Sequence, residues 1–473
     1  MNEKIKIVYI GAGSAAWALK IVRDLCVTDE LKSSEIVFVD INEEKLTEIM
    51  RLAKRYNEVI GGKLKITGTA SMKDALKDAD FIINSVLAGA GHILQEKVRK
   101  VTEEMGYYRG IESREFNMIS DYATMYSAVD QYNYIKNLTI NIHDISPDAW
   151  LLSVSNPMFE LQTLINRDKE NKIKSVSYCD GTLHLNQIIK NFNLDGHNIN
   201  VAGINHNIWI TRSNQNELEF YEKLNNWIDK DSEKHWKNNS FYNTFDNEID
   251  IRIISENVQF SRAAIDMYKS YGLFPVGDTV RSGTWKYHYN LQTKKKWYGP
   301  YGGFDSEIGW GRYLAALDMI SQYMSNLYNV DKGTLLSIIP PEPGDDPVIP
   351  FIEGILLDRK IKAFFDVKNI FHGDTNVKYL PEYAAVEIPV NVDKNGIHPE
   401  KVLGLNDRVN KDVLVPRWVN LEMAISAYET GDKSVLLDAL YRDPRTRSNE
   451  QAESTLEKVL SIPENVTSRN LYR

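Results

Sequence analysis

The sequence predicts an α/β protein: a doubly wound parallel sheet over residues 1–208, continued by an α+β region over residues 209–473. Three observations carry that prediction. Short apolar runs alternate with helical stretches over roughly the first 200 residues. A glycine turn follows the first apolar run directly. Beyond about residue 210 the alternation gives way to a polar stretch rich in Trp, Asn and Lys.

Residues 4–10 (Lys-Ile-Lys-Ile-Val-Tyr-Ile) form the first, buried strand, and residues 14–27 follow with helical spacing. Glu35 to Asp40 form the second strand, and Ile41 to Val59 a helix rich in Glu and Lys. Further strands are predicted at 79–86, 150–154, 174–178 and 199–202. In the second region, helices are expected at 263–271, 311–328 and 411–443, with strands within 376–395.

The chain of 473 residues is long enough for two domains. Its 43% hydrophobic and 26% charged residues are those of an ordinary globular protein. No apolar run approaches the roughly 20 residues needed to span a bilayer, so no membrane partner and a cytoplasmic location are expected. With a net charge of −9 the chain lacks the clustered cations that nucleic acid requires. The one compact basic run, Lys294-Lys295-Lys296, reads as solvated surface. Only Cys26 and Cys179 occur, one in a helix and one at a strand end, so a disulfide framework is not expected.

Gly11-Ala12-Gly13-Ser14-Ala15-Ala16 fits the G-x-G-x-x-G/A pattern with alanine last. Gly11 permits the tight turn, Gly13 lets the backbone approach a pyrophosphate, and the helix from Ser14 presents its N-terminus to the anion. The loop sits between a strand and a helix, the context that the motif needs. A Rossmann-like nucleotide site follows. Asp40 closes the second strand, where a carboxylate accepts ribose hydroxyls and repels a 2′-phosphate, favouring NAD; its other reading is a cap for the next helix. Asn84 ends another strand and either approaches the nicotinamide half or belongs to an ordinary turn.

Asn156, Cys179, Asp180, Asn205 and His206 each follow an apolar run, and strand ends of a parallel sheet share one ligand-binding edge. A thiolate and an imidazole are good ligands for a divalent transition metal. Two protein ligands leave an open shell for substrate oxygens and water.

These segments resemble glycoside hydrolase family 4. The likeness rests on Gly-Ala-Gly-Ser at 11–14, Phe-Asn-Met-Ile-Ser-Asp at 116–121, Asn-Pro at 156–157, Cys179, Gly-Ile-Asn-His at 203–206, Ala-Ile-Asp-Met-Tyr at 264–268 and Gly-Asp-Thr-Val-Arg at 277–281. Ile-His-Pro-Glu-Lys at 397–401 and Tyr-Arg-Asp-Pro-Arg-Thr at 441–446 point to the bacterial α-glucosidase branch.

The resemblance implies hydrolysis of an α-glycoside with NAD and Mn2+, or another divalent transition metal. Oxidation at C3 is followed by proton loss at C2, elimination and water addition, with no net NAD consumption. It implies Cys179 and His206 as metal ligands, and Asn156, Asp121 and Arg281 as substrate contacts. Asp266 would be the C2 base and Asp180 the acid that protonates the leaving group. It further implies a homodimer or homotetramer. The branch usually carries histidine where this chain has Asp180, a feature similar to 6-phospho-α-glucosidases, so that substrate, an α-glucuronide or an α-galacturonide stand as alternatives. Lys269 would be a second cation for a phosphate. A plain NAD-dependent sugar or hydroxy-acid dehydrogenase is the remaining reading.

Overall fold

The computed structural model describes residues 5–13, 15–111, 126–179, 181–194, 198–238, 259–281 and 284–473. Ser14, Asp121 and Asp180 lie outside the described residues. The first half forms β1 (Lys6–Ile10), α1 (Ala15–Val27), β2 (Glu35–Val39), α2 (Glu43–Val59), β3 (Lys65–Thr69), α3 (Met72–Leu76) and β4 (Phe81–Asn84). After these come α4 (Gly91–Glu104), α5 (Val129–Ile145), β5 (Trp150–Ser153), α6 (Met158–Arg167), β6 (Lys174–Ser177) and α7 (Gly181–Phe192).

β1 pairs in parallel with β2 and β4, β2 with β3, β4 with β5 and β5 with β6, giving the order 3-2-1-4-5-6. This is the doubly wound arrangement, whose ligand crevice lies at the carboxyl ends of the strands. Its inner strands are apolar throughout because helices cover both faces; Ile7, Val8, Ile36, Phe38 and Ile82 are all fully buried. β3 was not among the strands expected from sequence. Its residues, Lys-Ile-Thr-Gly-Thr, lie at the sheet edge with only Ile66 buried, so they carry no apolar run to read.

The sheet does not stop at β6. β7 (Val201–Ile204) and β8 (Asn207–Ile210) form a tight antiparallel hairpin, and β9 (Pro275–Val276) pairs with β8. Two strands from far along the chain, β10 (Ile361–Lys368) and β11 (Ala385–Asp393), stand between β6 and β7. β12 (Gly396–Pro399) pairs only with β11. Thus β6 and β7 are successive in the chain but not neighbours in the sheet. The three antiparallel pairings between them make β7 run opposite to β6, so, contrary to the sequence prediction, Asn205 and His206 do not share the carboxyl edge of the parallel strands with Asn156 and Cys179. Sequence spacing could not show this, because the intervening pair is supplied by residues about 160 positions later.

The C-terminal helices close over this sheet. The helix Val415–Thr430 is clamped to α6 by a buried ion pair, Arg417 Nη1 to Glu160 Oε1 at 2.7 Å, with Glu160 1% and Arg417 2% exposed. Among the described residues no helix is long and apolar enough to cross a membrane. Removing one partner of a buried pair strands the other charge and costs about 3–5 kcal/mol. Glu160→Ala should therefore lower unfolding free energy by that amount in urea titration, whereas a loss under about 1 kcal/mol would show the clamp to be unimportant.

Candidate active site

The glycine loop is built as the motif demands. Gly11 has φ +93°, its N–H donates to Val39 O at 2.9 Å, and a Cβ there would lie 2.9 Å from the Ser85 backbone. Asp40 closes the loop from β2. Its Oδ2 accepts from Gly13 N at 2.6 Å and its Oδ1 from Asn42 N at 2.8 Å. The cap of α2 is Asn42 itself, whose side chain accepts from Lys45 N. Asp40 therefore ties the loop to β2 at the place where a ribose would lie.

Asn84 serves a different neighbour. It is fully buried; its Nδ2 donates to Ser153 and Ser155 Oγ, and its Oδ1 accepts from Tyr134 at 2.8 Å. That knot fixes the ends of β4 and β5 together and spends the carboxamide inside the protein. Asn156 follows at the turn after β5, joined to Pro157 by a cis peptide bond. Its Oδ1 is buried and has no hydrogen-bond partner. A buried acceptor without a partner costs about 1–3 kcal/mol, so it points to a ligand.

Cys179, half-buried, ends the segment after β6, and α7 starts two residues later at Gly181. His206 is the second residue of the two-residue turn between Ile204 and Asn207, which pair with each other. It is 5% exposed and has φ +61°. A left-handed conformation at a non-glycine residue costs on the order of 1–3 kcal/mol and collects at functional sites.

A short 3₁₀ turn, Gly277–Arg281, joins the two segments. Gly277 has φ +59°, and a Cβ there would lie 2.7 Å from Gly181 Cα. Its neighbour Asp278 reaches the other way, with Oδ2 3.5 Å from His206 Nε2. Thr279 Oγ1 donates to Ile208 O at 3.0 Å and accepts from Ile208 N at 2.7 Å, locking the turn to β8. Gly181 in turn packs near Ile208, whose Cδ1 would lie 3.6 Å from a Cβ on it. Cys179 and His206 each stand two residues from this contact.

Arg281 anchors the turn. Its Nε and Nη2 grip Asp305 at 2.9 and 2.7 Å, and its Nη1 donates to Asp278 Oδ1 at 2.7 Å. Burial pushes the Asp278 carboxyl up, but Arg281 and the His206 and His184 imidazoles outweigh it and hold the pKa at about 2. Arg281 is thereby committed to two carboxylates. Asp266 sits on the helix Arg262–Tyr271, which packs against the same turn. Its Oδ2 accepts from Tyr287 OH at 2.6 Å and pairs with Lys286. Lys269, one turn further on, is exposed.

The basic run is not all surface. Lys294 is 1% exposed, its Nζ lies 3.3 Å from His288 Nδ1, and burial pushes its pKa down to about 7. Helix Leu291–Tyr298 turns only part of a run of three lysines to water.

Sequence reasoning missed three carboxylates near His206: Asp278, Asp366 and Glu387. Each carried a signal. Asp278 sits inside the Gly-Asp-Thr-Val-Arg motif, where attention fell on Arg281. Asp366 and Glu387 are acids with apolar neighbours on both sides, Phe364-Phe365-Asp366-Val367 and Val386-Glu387-Ile388.

Two strand-end ligands of suitable chemistry, an orphaned Asn156 oxygen and a glycine loop closed by Asp40 fit a metal and a dinucleotide. Among the described residues no group of three or more His, Cys, Asp or Glu side chains is arranged to hold a metal.

The strand order and the glycine loop together define a fold of the doubly wound, dinucleotide-binding type. Residues 6–194 match the family 4 glycosyl hydrolase model and residues 201–446 its C-terminal domain, and the chain belongs to that family of glycoside hydrolases. An α-galacturonidase of Lachnoclostridium phytofermentans is 23% identical, over 96% of this chain and 95% of the relative. An α-glucosidase of Erwinia rhapontici is 22% identical, over 93% of each. The fold matches a Thermotoga maritima 6-phospho-β-glucosidase solved with manganese, NAD+ and glucose 6-phosphate: TM-score 0.68, 17% identity, 96% of this chain and 98% of that one.

Asp278 provides a test by pH. Its folded pKa lies below the unfolded value near 3.9, so its stabilisation is complete above about pH 4 and is lost as pH falls through about 2. The shift corresponds to roughly 2 kcal/mol. Urea unfolding of wild type and Asp278→Asn should differ by that amount at pH 7 and converge toward pH 2; a constant difference across the range would contradict this.

Proposed function

We propose that this chain is an α-glycosidase, most simply an α-glucosidase, that hydrolyses unphosphorylated α-glycosides with the help of NAD and a divalent metal. The observation that carries the reading is the meeting of Gly181, two residues after Cys179, and of His206 on the 277–281 turn, in a fold that also holds an orphaned Asn156 oxygen and a glycine loop of the dinucleotide pattern. When bound, the nicotinamide would accept a hydride from the sugar and later return it, and the ion would polarise the sugar's hydroxyl oxygens.

The chain's own residues do the rest. Gly11 and Gly13 let backbone N–H groups approach the pyrophosphate, and Asp40 fixes their loop. Cys179 and His206 hold the ion, and Asn156 accepts from a sugar hydroxyl at the Oδ1 that the protein leaves unpaired. Asp266 takes the C2 proton, its carboxylate held in place by Lys286 and the Tyr287 hydroxyl. Asp180 gives a proton to the departing oxygen, and Asp121 binds sugar hydroxyls.

The commitment of Arg281 to Asp278 and Asp305 and the exposure of Lys269 favour a neutral sugar over a phosphorylated one. An α-galacturonide is the second reading, favoured by the end-to-end likeness to an α-galacturonidase.

The test is hydrolysis of p-nitrophenyl α-glucoside with NAD+, Mn2+ and a thiol reductant each present or omitted, beside an α-galacturonide and maltose 6-phosphate. Release of nitrophenol that depends on both NAD+ and Mn2+, with no net NADH, is expected. Activity that survives without either would refute the redox route, and stoichiometric NADH would identify a dehydrogenase. Cys179→Ser should lower kcat by at least about 100-fold, as expected for a metal ligand of the reaction.

A further inference from the structure

The residues between the two ligand-bearing strands have no role in the chemistry described so far. A single row crosses the sheet there: Ser177 on β6 pairs with Asp366 on β10, Asp366 with Glu387 on β11, and Glu387 with Gly203 on β7. Cys179 lies two residues beyond one end of the row and His206 three beyond the other. Directly paired residues point to the same face of a sheet, with Cβ atoms about 4.5–5.5 Å apart. Two carboxyl groups therefore face each other in the row that lies between the segments carrying Cys179 and His206.

Their surroundings are unusual. Asp366 is fully buried and Glu387 is 1% exposed, yet both Asp366 oxygens and Glu387 Oε1 lack any hydrogen-bond partner in the protein. Like charges placed directly opposite destabilise a sheet, and an unpaired buried carboxylate costs several kcal/mol. A fold that needed only packing would place apolar side chains here, as it does at Phe365, Val367, Val386 and Ile388 on either side. The Asn205 carboxamide reaches toward the Glu387 carboxyl and His206 acts on both acids, although Asn205 Nδ2 completes no full hydrogen bond.

We propose that Asp366 and Glu387 are a positioning pair, which holds the Asn205–His206 turn from below and supplies buried counter-charge for a divalent ion on Cys179 and His206. The proposal rests on the metal-dependent reading above. Groups behind the ligands of a metal orient those ligands and tune their affinity, and losing one typically costs about 10–100-fold in metal binding. Position explains the pair's place in the sheet. β10 and β11 are the strands that separate β6 from β7, so the row couples the two ligand segments through paired strands rather than through a loop. Glu387 reaches the histidine side through Asn205, and Asp366 faces the strand that leads to Cys179.

The experiment is Mn2+ binding to the full chain by calorimetry and electron paramagnetic resonance, for wild type, Glu387→Gln and Asp366→Asn. Melting temperature and NAD+ affinity are measured in parallel. Each amide keeps shape and polarity but removes the ionisable carboxyl group. The expected result is an Mn2+ Kd about 10–100-fold weaker in each variant, with NAD+ affinity within about twofold of wild type. Folded variants that bind Mn2+ within about twofold of wild type would overturn the proposal. Should the single variants fail to fold, Asp366→Leu with Glu387→Leu replaces both acids by apolar groups, a change that can be nearly neutral for folding. The same loss of Mn2+ affinity is then expected, and unchanged affinity overturns the pair's role. Absence of Mn2+ binding in the wild type would refute the metal-dependent reading itself, and the pair's role with it.

Discussion

The site depends on a contact between two glycines. Gly277 approaches Gly181 so closely that one added carbon would meet its Cα. No residue with a side chain at 277 could bring the 3₁₀ turn this close to the start of α7. Strands β6 and β7 are held apart by β10 and β11, so sheet hydrogen bonding alone does not join their ends. The 277–281 turn bridges that gap from above, and the carboxyl pair lies across it in the sheet below. A side chain at Gly277 would push the turn off Gly181, whereas one at Gly181 would meet only Ile208 in ordinary contact.

Electrostatics fixes the same turn. His206, Asp278, Arg281 and Asp305 form a buried sequence of groups in which each charge faces its opposite or a titratable ring. Such sequences are costly to bury and are retained where geometry must be exact to within about an ångström. Here the cost falls on the residues that place His206, itself held in a left-handed conformation. Strain and buried charge are thus concentrated at one corner, while the rest of the sheet is made of ordinary apolar strands.

Much of this was legible in the sequence. The glycine loop, the alternation of strands and helices and the strand-end positions of Asn156, Cys179 and His206 are local patterns, each contained within a few residues. What could not be read was non-local. Nothing in Ile361–Lys368 or Ala385–Asp393 shows that they enter the sheet between β6 and β7, because pairing partners are chosen by the whole chain. β3 escaped notice because an exposed edge needs few apolar residues. The spent carboxamide of Asn84 and the committed guanidinium of Arg281 also lay beyond sequence, since a residue type does not reveal which neighbour uses it. Lys294 shows the same point in reverse: a charge inside a basic run was carried indoors by helix periodicity.

The most direct measurement adds Co2+ to the purified chain and follows its optical spectrum. The account predicts a sulfur-to-cobalt charge-transfer band that disappears in Cys179→Ser and is weakened or shifted in His206→Ala, both variants remaining folded. A spectrum without that band, or one indifferent to both substitutions, would mean that thiol and imidazole do not share an ion, and would contradict the proposed site.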